Sequence, residues 1–296
     1  PRSTSCRRNV WRRRPALREN KVSQEMPANK QNVRVAAVQM VSTPRVADNL
    51  AMAGELVAEA VRQGARLVAL PEYFPIMGMS DGDKVAVREA DGSGPIQQWL
   101  AETARRHAIW LIGGSIPLEA SDPAKVLNSS VVYGPDGQRV ARYDKIHLFG
   151  FRKCAEAYNE SATIEAGRTP VAFDTPFGRV ALSICYDLRF PELYRGLGPV
   201  DLIVVPAAFT ETTGRAHWEI LLRARAIENQ CYVLAIGQGG RHESGRETHG
   251  NSMLIDPWGT ILDRKLKGPG VVIGELDPAF IADTRASLPA LQHRVL

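Results

Sequence analysis

At 296 residues, 44% hydrophobic and 23% charged, the chain has the composition of a globular protein with room for a sizeable core. The net charge of +5 is uneven: residues 1–30 carry nine Lys/Arg against two Asp/Glu, so the remainder is slightly acidic and offers no general polycation surface to nucleic acid. Four cysteines at irregular spacing form neither a CxxC pair nor a disulfide framework, which points to a reducing, cytoplasmic setting, and no apolar run reaches the roughly 18 residues of a membrane span.

Taken in chain order, residues 1–32 form a basic extension without periodicity, expected to be disordered. The stretch 1–25 also fits upstream sequence, and its Arg-rich, acid-poor make-up leaves mitochondrial targeting open, although it lacks an amphipathic pattern. From Val33 to Leu296 there is no linker and no break in composition, so one domain is expected over 33–296. Val33–Gln39 reads as a strand, 48–62 as a helix ended by Gly64, and 67–70 as a second buried strand. Pro95 opens a helix with Ile96, Leu100 and Ala104 inward, and a strand over 109–112 follows. Three hairpins then carry Pro/Gly turns: 129–133 with 140–143, 171–174 with 179–184, and 253–255 with 260–263. Between them lie strand 202–205, helix 216–229 and strand 231–236. Strand 270–276 and a helix from Pro278 complete the pattern of an α/β layered domain with mixed sheets. The tail from Leu288 finds no partner in its own stretch and is expected to reach across an oligomer.

Three residues stand at strand ends, where functional groups of such sheets gather. Cys185 ends the apolar run 180–184 and precedes a polar turn and Pro191, a residue suited to a first helical turn. Backbone N–H groups and the helix end are expected to favour its thiolate; taken alone, it reads equally as a buried structural thiol. Glu72 follows the strand 67–70 directly and reads as a cap, a surface acid or a group aimed into a crevice. Lys145 ends the run Val140–Lys145 and by itself reads as a solvated charge. Together they supply a base, a fixed cation and a nucleophile.

The segments Leu70-Pro-Glu72, Tyr143-Asp-Lys-Ile-His147 and Cys185-Tyr-Asp-Leu-Arg-Phe-Pro-Glu192, in this order and at this spacing, resemble the three signature segments of the nitrilase (carbon–nitrogen hydrolase) superfamily. The resemblance runs from about Val33 to Arg294. It implies a four-layer αββα sandwich, paired into a homodimer or higher homo-oligomer, and a Glu-Lys-Cys triad on Glu72, Lys145 and Cys185. A second family glutamate matches Glu160, with Glu156 as its competitor in the same loop. In the implied chemistry Cys185 attacks an amide carbonyl, Glu72 carries the proton, and Lys145 with the backbone N–H of Tyr186 holds the oxyanion. A thioester follows, and neither metal nor cofactor is required. His147 reads as a structural hydrogen-bonding residue, and His217, His242 and His249 lack metal-ligand spacing.

The helix around Arg223-Ala-Arg-Ala-Ile-Glu228 and the run Gly240-Arg-His242 are more similar to the branch acting on deaminated glutathione than to the omega-amidases. That branch implies hydrolysis of an amide of 2-oxoglutarate and hence a small-molecule amide substrate. Omega-amidase activity on 2-oxoglutaramate, another small-amide hydrolase, a true nitrilase and a non-catalytic binding protein remain the alternatives. Cys-Tyr-Asp in place of Cys-Trp-Glu speaks against the nitrilase. A substrate with an α-keto carboxylate calls for a cation, for which Arg189 is a candidate; a salt bridge to Asp187 or Glu192 is its equal alternative. Thr210 is a candidate hydrogen-bond donor to substrate or, equally, a helix cap. Cys231, Trp218 and Leu222 are expected in the core.

Overall fold

The computed structural model describes residues 30–153 and 156–295, and of Lys153 and Glu156 the backbone alone. Residues 1–29, where most of the expected basic extension falls, lie outside the described residues, as do Cys6 and Cys154. In chain order the first half comprises β1 (Val33–Gln39), α1 (Val46–Arg62), β2 (Leu67–Ala69), the single turn α2 (Asp83–Ala86), α3 (Pro95–His107) and β3 (Trp110–Ile112). Strands β4 (Ile116–Glu119), β5 (Val126–Tyr133) and β6 (Arg139–Asp144) follow, then the hairpin of β7 (Gly150–Lys153) and β8 (Glu156–Asn159), and β9 (Ile164–Glu165). The second half runs β10 (Ala172–Thr175), β11 (Gly178–Leu182), α4 (Pro191–Gly196), β12 (Leu202–Ala207), α5 (Glu211–Asn229) and β13 (Tyr232–Gly237). It ends with β14 (Ser252–Ile255), β15 (Ile261–Lys265), β16 (Gly270–Leu276) and α6 (Pro278–Ser287).

Two sheets form the inner layers. One has the order β16-β1-β2-β3-β5-β4 with β6 and β9 also on β5; the other runs β10-β11-β12-β13-β14-β15. The alternation of β1 shows how they stack. Val33, Val35 and Ala37 share a core with Val233 and Met253 of the other sheet, whereas Ala36 and Val38 pack with Ala53, Val57, Ile96 and Leu100 of α1 and α3. On the far side Trp218, Leu222 and Ala226 of α5 cover the second sheet. The result is a four-layer αββα sandwich. Strands covered on both faces carry continuous apolar runs, which is why 202–205 and 231–236 are so uniformly hydrophobic.

Strand direction brings the site together. β1, β2 and β3 are parallel; β5 opposes β3 and β6 opposes β5, so β6 runs with β2 and β3. β11, β12 and β13 are likewise parallel. A parallel bridge from Met40 to Gln238, just beyond β1 and β13, joins the two sheets at their carboxyl ends. Residues placed just after β2, β6, β11 and β12 therefore meet along one seam, as ligand sites of open α/β sheets do.

Most elements fall where the sequence places them. α5 starts earlier than Ala216, at Glu211, because the Thr210 hydroxyl accepts the Thr213 N–H and caps a first turn rich in β-branched residues and glycine. Strand β4 was hidden by Pro117, which is tolerated because β4 lies at the end of its sheet.

Candidate active site

Glu72 stands just beyond β2, on a segment seated tightly by its neighbours. The Tyr73 N–H donates to Ser115 Oγ at 3.0 Å, and Gly114, at φ 51°, packs so close that a Cβ would lie 2.1 Å from the Pro71 carbonyl oxygen. The Glu72 carboxylate is fully buried, and both of its oxygens are engaged. Oε1 accepts from Asn128 Nδ2 at 3.0 Å and from Lys145 Nζ at 2.9 Å, while Oε2 accepts from the Ala208 N–H, beyond β12, at 2.7 Å. Asn128 ties the two strands further, its carbonyl accepting the Lys145 N–H at 2.9 Å.

Lys145, just past β6, is also without solvent exposure, and it meets a second carboxylate. Its ammonium lies 2.8 Å from Glu160 Oε2. Glu160 begins a short 3₁₀ turn and is held by the Tyr73 hydroxyl at 2.9 Å and the Phe149 N–H at 2.7 Å. Burial alone would lower the lysine's pKa, but Glu160 and Glu72 outweigh it and raise it above its ordinary value. Burial likewise pushes the Glu160 carboxyl up, and Lys145 with its hydrogen bonds returns it to below the usual range. The second glutamate beside Lys145 is thus Glu160; the Glu156 side chain is outside what is described. Taking such charges out of water costs several kcal/mol per ion, and the complete set of partners offsets it.

Cys185 follows β11 at φ 52°, a left-handed conformation that costs a non-glycine residue about 1–2 kcal/mol. It opens a 3₁₀ turn over Cys185–Arg189 anchored by Asp187. This fully buried carboxylate accepts from the Ile184 N–H at 2.8 Å, the Tyr143 hydroxyl at 2.7 Å and the His147 N–H at 3.0 Å, and pairs with His147 Nδ1 at 2.7 Å. Asp187 thus fastens the cysteine turn to the segment bearing Lys145, and His147 serves that hydrogen-bonding purpose. The expected thiolate is corrected by the surroundings: burial, then the Glu72 charge, push the Cys185 thiol well up, and Lys145 only partly opposes them. The turn separates Cys185 from the short helix α4, so burial and the neighbouring Glu72 and Lys145 charges, rather than a helix end, act most on the thiol.

The sulfur opens on a cleft bounded by Phe149, Glu160, Tyr186, Ala208, Phe209, Thr210, Thr213 and Arg246. Its free room is about 10 Å³, hardly a water molecule, so an acyl chain enters only with movement of the surrounding rings. Thr210 is both a cap of α5 and a wall of this cleft. Arg189 stands one ring back, its guanidinium 5.7 Å from the Tyr186 ring centre and 5.4 Å from that of Phe209, with a contact to His217 Nδ1 at 3.2 Å. The cation at the cleft wall itself is Arg246, which sequence reasoning missed; only its place in the polar loop after Gly240-Arg-His242 hinted at it. Asn128, Tyr73 and Asp187 were missed as well, because nothing local marks a hydrogen bond made across a fold. Cys231 is buried in the core, as expected. His242 bonds the Ser42 carbonyl and the Thr248 hydroxyl, both at 2.9 Å. Among the described residues no group of three His, Cys, Asp or Glu is placed to hold a metal.

Residues 34–286 match the Carbon-nitrogen hydrolase family. The chain is 45% identical over 266 residues to a deaminated glutathione amidase of Synechocystis sp., covering 88% of this chain and 97% of that protein. It is 37% identical over 267 residues to the deaminated glutathione amidase of Homo sapiens, covering 88% of this chain and 81% of that one. The crystal structure of Saccharomyces cerevisiae Nit3, a member of branch 10 of the nitrilase superfamily, superposes with a TM-score of 0.80 at 30% identity, over 90% of this chain and 97% of that one.

Proposed function

Because the chain belongs to the carbon–nitrogen hydrolase family, we propose that it is a cofactor-independent amidase that hydrolyses deaminated glutathione to 2-oxoglutarate and cysteinylglycine, with residues 33–296 as its hydrolase domain. The observation that carries this reading is the buried Glu72–Lys145–Glu160 cluster set against the Cys185 thiol, at the end of a cleft with a cation in its wall. The curated relatives named for that substrate support the choice of acyl group.

In this mechanism the resting nucleophile is a neutral thiol. Cys185 Sγ attacks the amide carbonyl as Glu72 takes its proton, and the oxyanion that forms rests between the Lys145 ammonium and the Tyr186 N–H. One such donor is worth about 10²–10³ in rate. Glu72 then gives the proton to the amine nitrogen, the C–N bond breaks, and a thioester remains on Cys185. Water enters, Glu72 removes its proton, and a second tetrahedral intermediate expels the Cys185 thiolate, which takes that proton back as the carboxylic acid leaves. Glu160 keeps Lys145 charged and oriented. Arg189 supplies the positive field that draws the acyl carboxylate, and Thr210 offers a hydroxyl to it.

Exposed Ile220, on α5, and Trp258, in the turn before β15, support a homo-oligomer. Buried free Cys185 and Cys231 support a reducing, cytoplasmic setting, and among the described residues no helix is long and apolar enough to cross a membrane. The deciding experiment compares deaminated glutathione, 2-oxoglutaramate and a simple nitrile on the purified protein, with Cys185→Ala as the inactive control. Deaminated glutathione is expected to give the highest kcat/KM. Preference for 2-oxoglutaramate, or no turnover of deaminated glutathione, overturns the substrate assignment; activity in Cys185→Ala overturns the nucleophile.

A further inference from the structure

Beside the cleft lies a second, wider cavity of about 350 Å³, within the range of small-molecule sites. Arg246 lines both spaces, and Tyr73, in the wall of the wider one, hydrogen-bonds Glu160 in the wall of the cleft. The two are therefore neighbours across a shared boundary. Two cations face the wider cavity without adequate partners. Lys84, on α2, has a side chain only 13% exposed, yet its ammonium is 3.7 Å from Asp81, a carboxylate 72% exposed, and 3.4 Å from the Thr163 hydroxyl. It also lies over the Tyr73 ring, 5.3 Å to the centre, and within the field of Glu160, Arg246 and Lys145. Arg246 donates to the Ala208 carbonyl at 3.0 Å and lies over the Tyr158 ring, but its Nε is buried without a hydrogen-bond partner, and no carboxylate among the described residues pairs with it. A cation largely withdrawn from water and weakly paired favours an incoming anion.

We propose that this cavity is the leaving-group subsite of the reaction and that Lys84, with Arg246 beside it, receives a carboxylate carried by the departing amine. The inference rests on the amidase reading of Cys185. Position sets the direction: Tyr73 follows Glu72, the group that hands the proton to the amine, so the amine departs on the Tyr73 side. Thr210, Thr213 and Phe209, on the other walls of the cleft, are left for the acyl chain. An amine no larger than a dipeptide, with a free C-terminal carboxylate, suits both the volume and the charge. Burial lowers the pKa of Lys84, and Asp81 and Glu160 only partly oppose it.

The first test needs no variant and no turnover. Binding of alanylglycine and of its C-terminal amide to the wild-type protein is compared by NMR titration; the free carboxylate is expected to bind at least about tenfold more tightly, the scale of one charge-assisted hydrogen bond. Equal binding overturns the subsite. Lys84→Met is expected to erase the difference and Lys84→Arg to restore part of it; equal weakening of both ligands by Lys84→Met marks a structural role and overturns the proposal. In turnover, the ratio of kcat/KM for deaminated glutathione over its C-terminal amide is expected to fall about tenfold or more in Lys84→Met, through KM. If the wild-type protein turns over neither compound but keeps its preference for the dipeptide carboxylate, the substrate assignment falls and the subsite stands.

Discussion

Lys145 and Lys84 are both withdrawn from water, and their surroundings push them in opposite directions. At Lys145 burial is the largest influence, yet Glu160 and Glu72 together overcome it and fix the charge. At Lys84 burial prevails, because the nearest carboxylate, Asp81, is 3.7 Å away and mostly in solvent. Desolvation is common to the two sites; the partners are not. The inner corner is a finished charge cluster, able to act on a reacting group without rearranging. At the outer corner the ammonium's ion-pair partner, Asp81, is itself mostly in solvent, so its charge is only weakly compensated.

Breaking the inner cluster gives the largest expected effects. Lys145→Ala removes the cation proposed to hold the oxyanion and leaves Glu72 and Glu160 without their shared ammonium beside Cys185. Activity is expected to fall at least about 10³-fold, and stability in urea by about 3–5 kcal/mol, the usual cost of stripping one partner from a buried ion cluster. Retained activity would remove Lys145 from the oxyanion site, and unchanged stability would show the cluster to be well solvated. Glu160→Gln is milder, since the amide keeps the shape and loses the charge. A fall in kcat of about tenfold to a hundredfold with little change in KM is expected for a group that orients a catalytic neighbour. An unchanged kcat would mean that Glu72 alone holds Lys145 in place.

The two corners also differ in how far the sequence discloses them. Glu72 and Cys185 follow apolar strands and Lys145 follows a mixed, partly exposed one, so strand ends and spacing locate them, and the layered α/β class follows from the same alternation of elements. Glu160 needed a family resemblance, because a loop glutamate carries no periodic signal. Asp187, Asn128 and Tyr73 act through hydrogen bonds between segments distant in sequence, which the chain's local pattern does not encode. The charge state of Cys185 differs from expectation for a related reason: a turn before a helix suggests a thiolate, but burial, and then the Glu72 charge brought in from another strand end, push the thiol up. Lys84 and Arg246 lie on a one-turn helix and in a polar loop, where a lysine or arginine is ordinarily solvated. Their significance comes only from the cavity they share.

The smallest expected effect separates the two lysines most directly, through the pH dependence of stability. The pKa of Lys84 is lowered in the folded protein, so between that lowered value and the ordinary lysine value of about 10.4 the unfolded chain binds more protons. Stability then rises with pH across this window. Relative to Lys84→Met, which carries no charge, the wild-type protein should therefore gain stability as pH climbs toward 10. Near pH 7 the variant is expected to be as stable as the wild type or more so, by up to about 1 kcal/mol, since a poorly compensated charge has been replaced by an apolar chain of similar length. Lys145 should show the opposite sign. Its pKa is raised on folding, so its contribution is complete below the ordinary lysine value and declines above it. Urea titrations of the wild type, Lys84→Met and Lys145→Met from pH 7 to about 11.5 read both slopes at once. A Lys84→Met protein that is clearly less stable at pH 7, or a difference that does not move with pH, would show that Lys84 already has its counter-charge within the chain and that the outer cavity is not waiting for one.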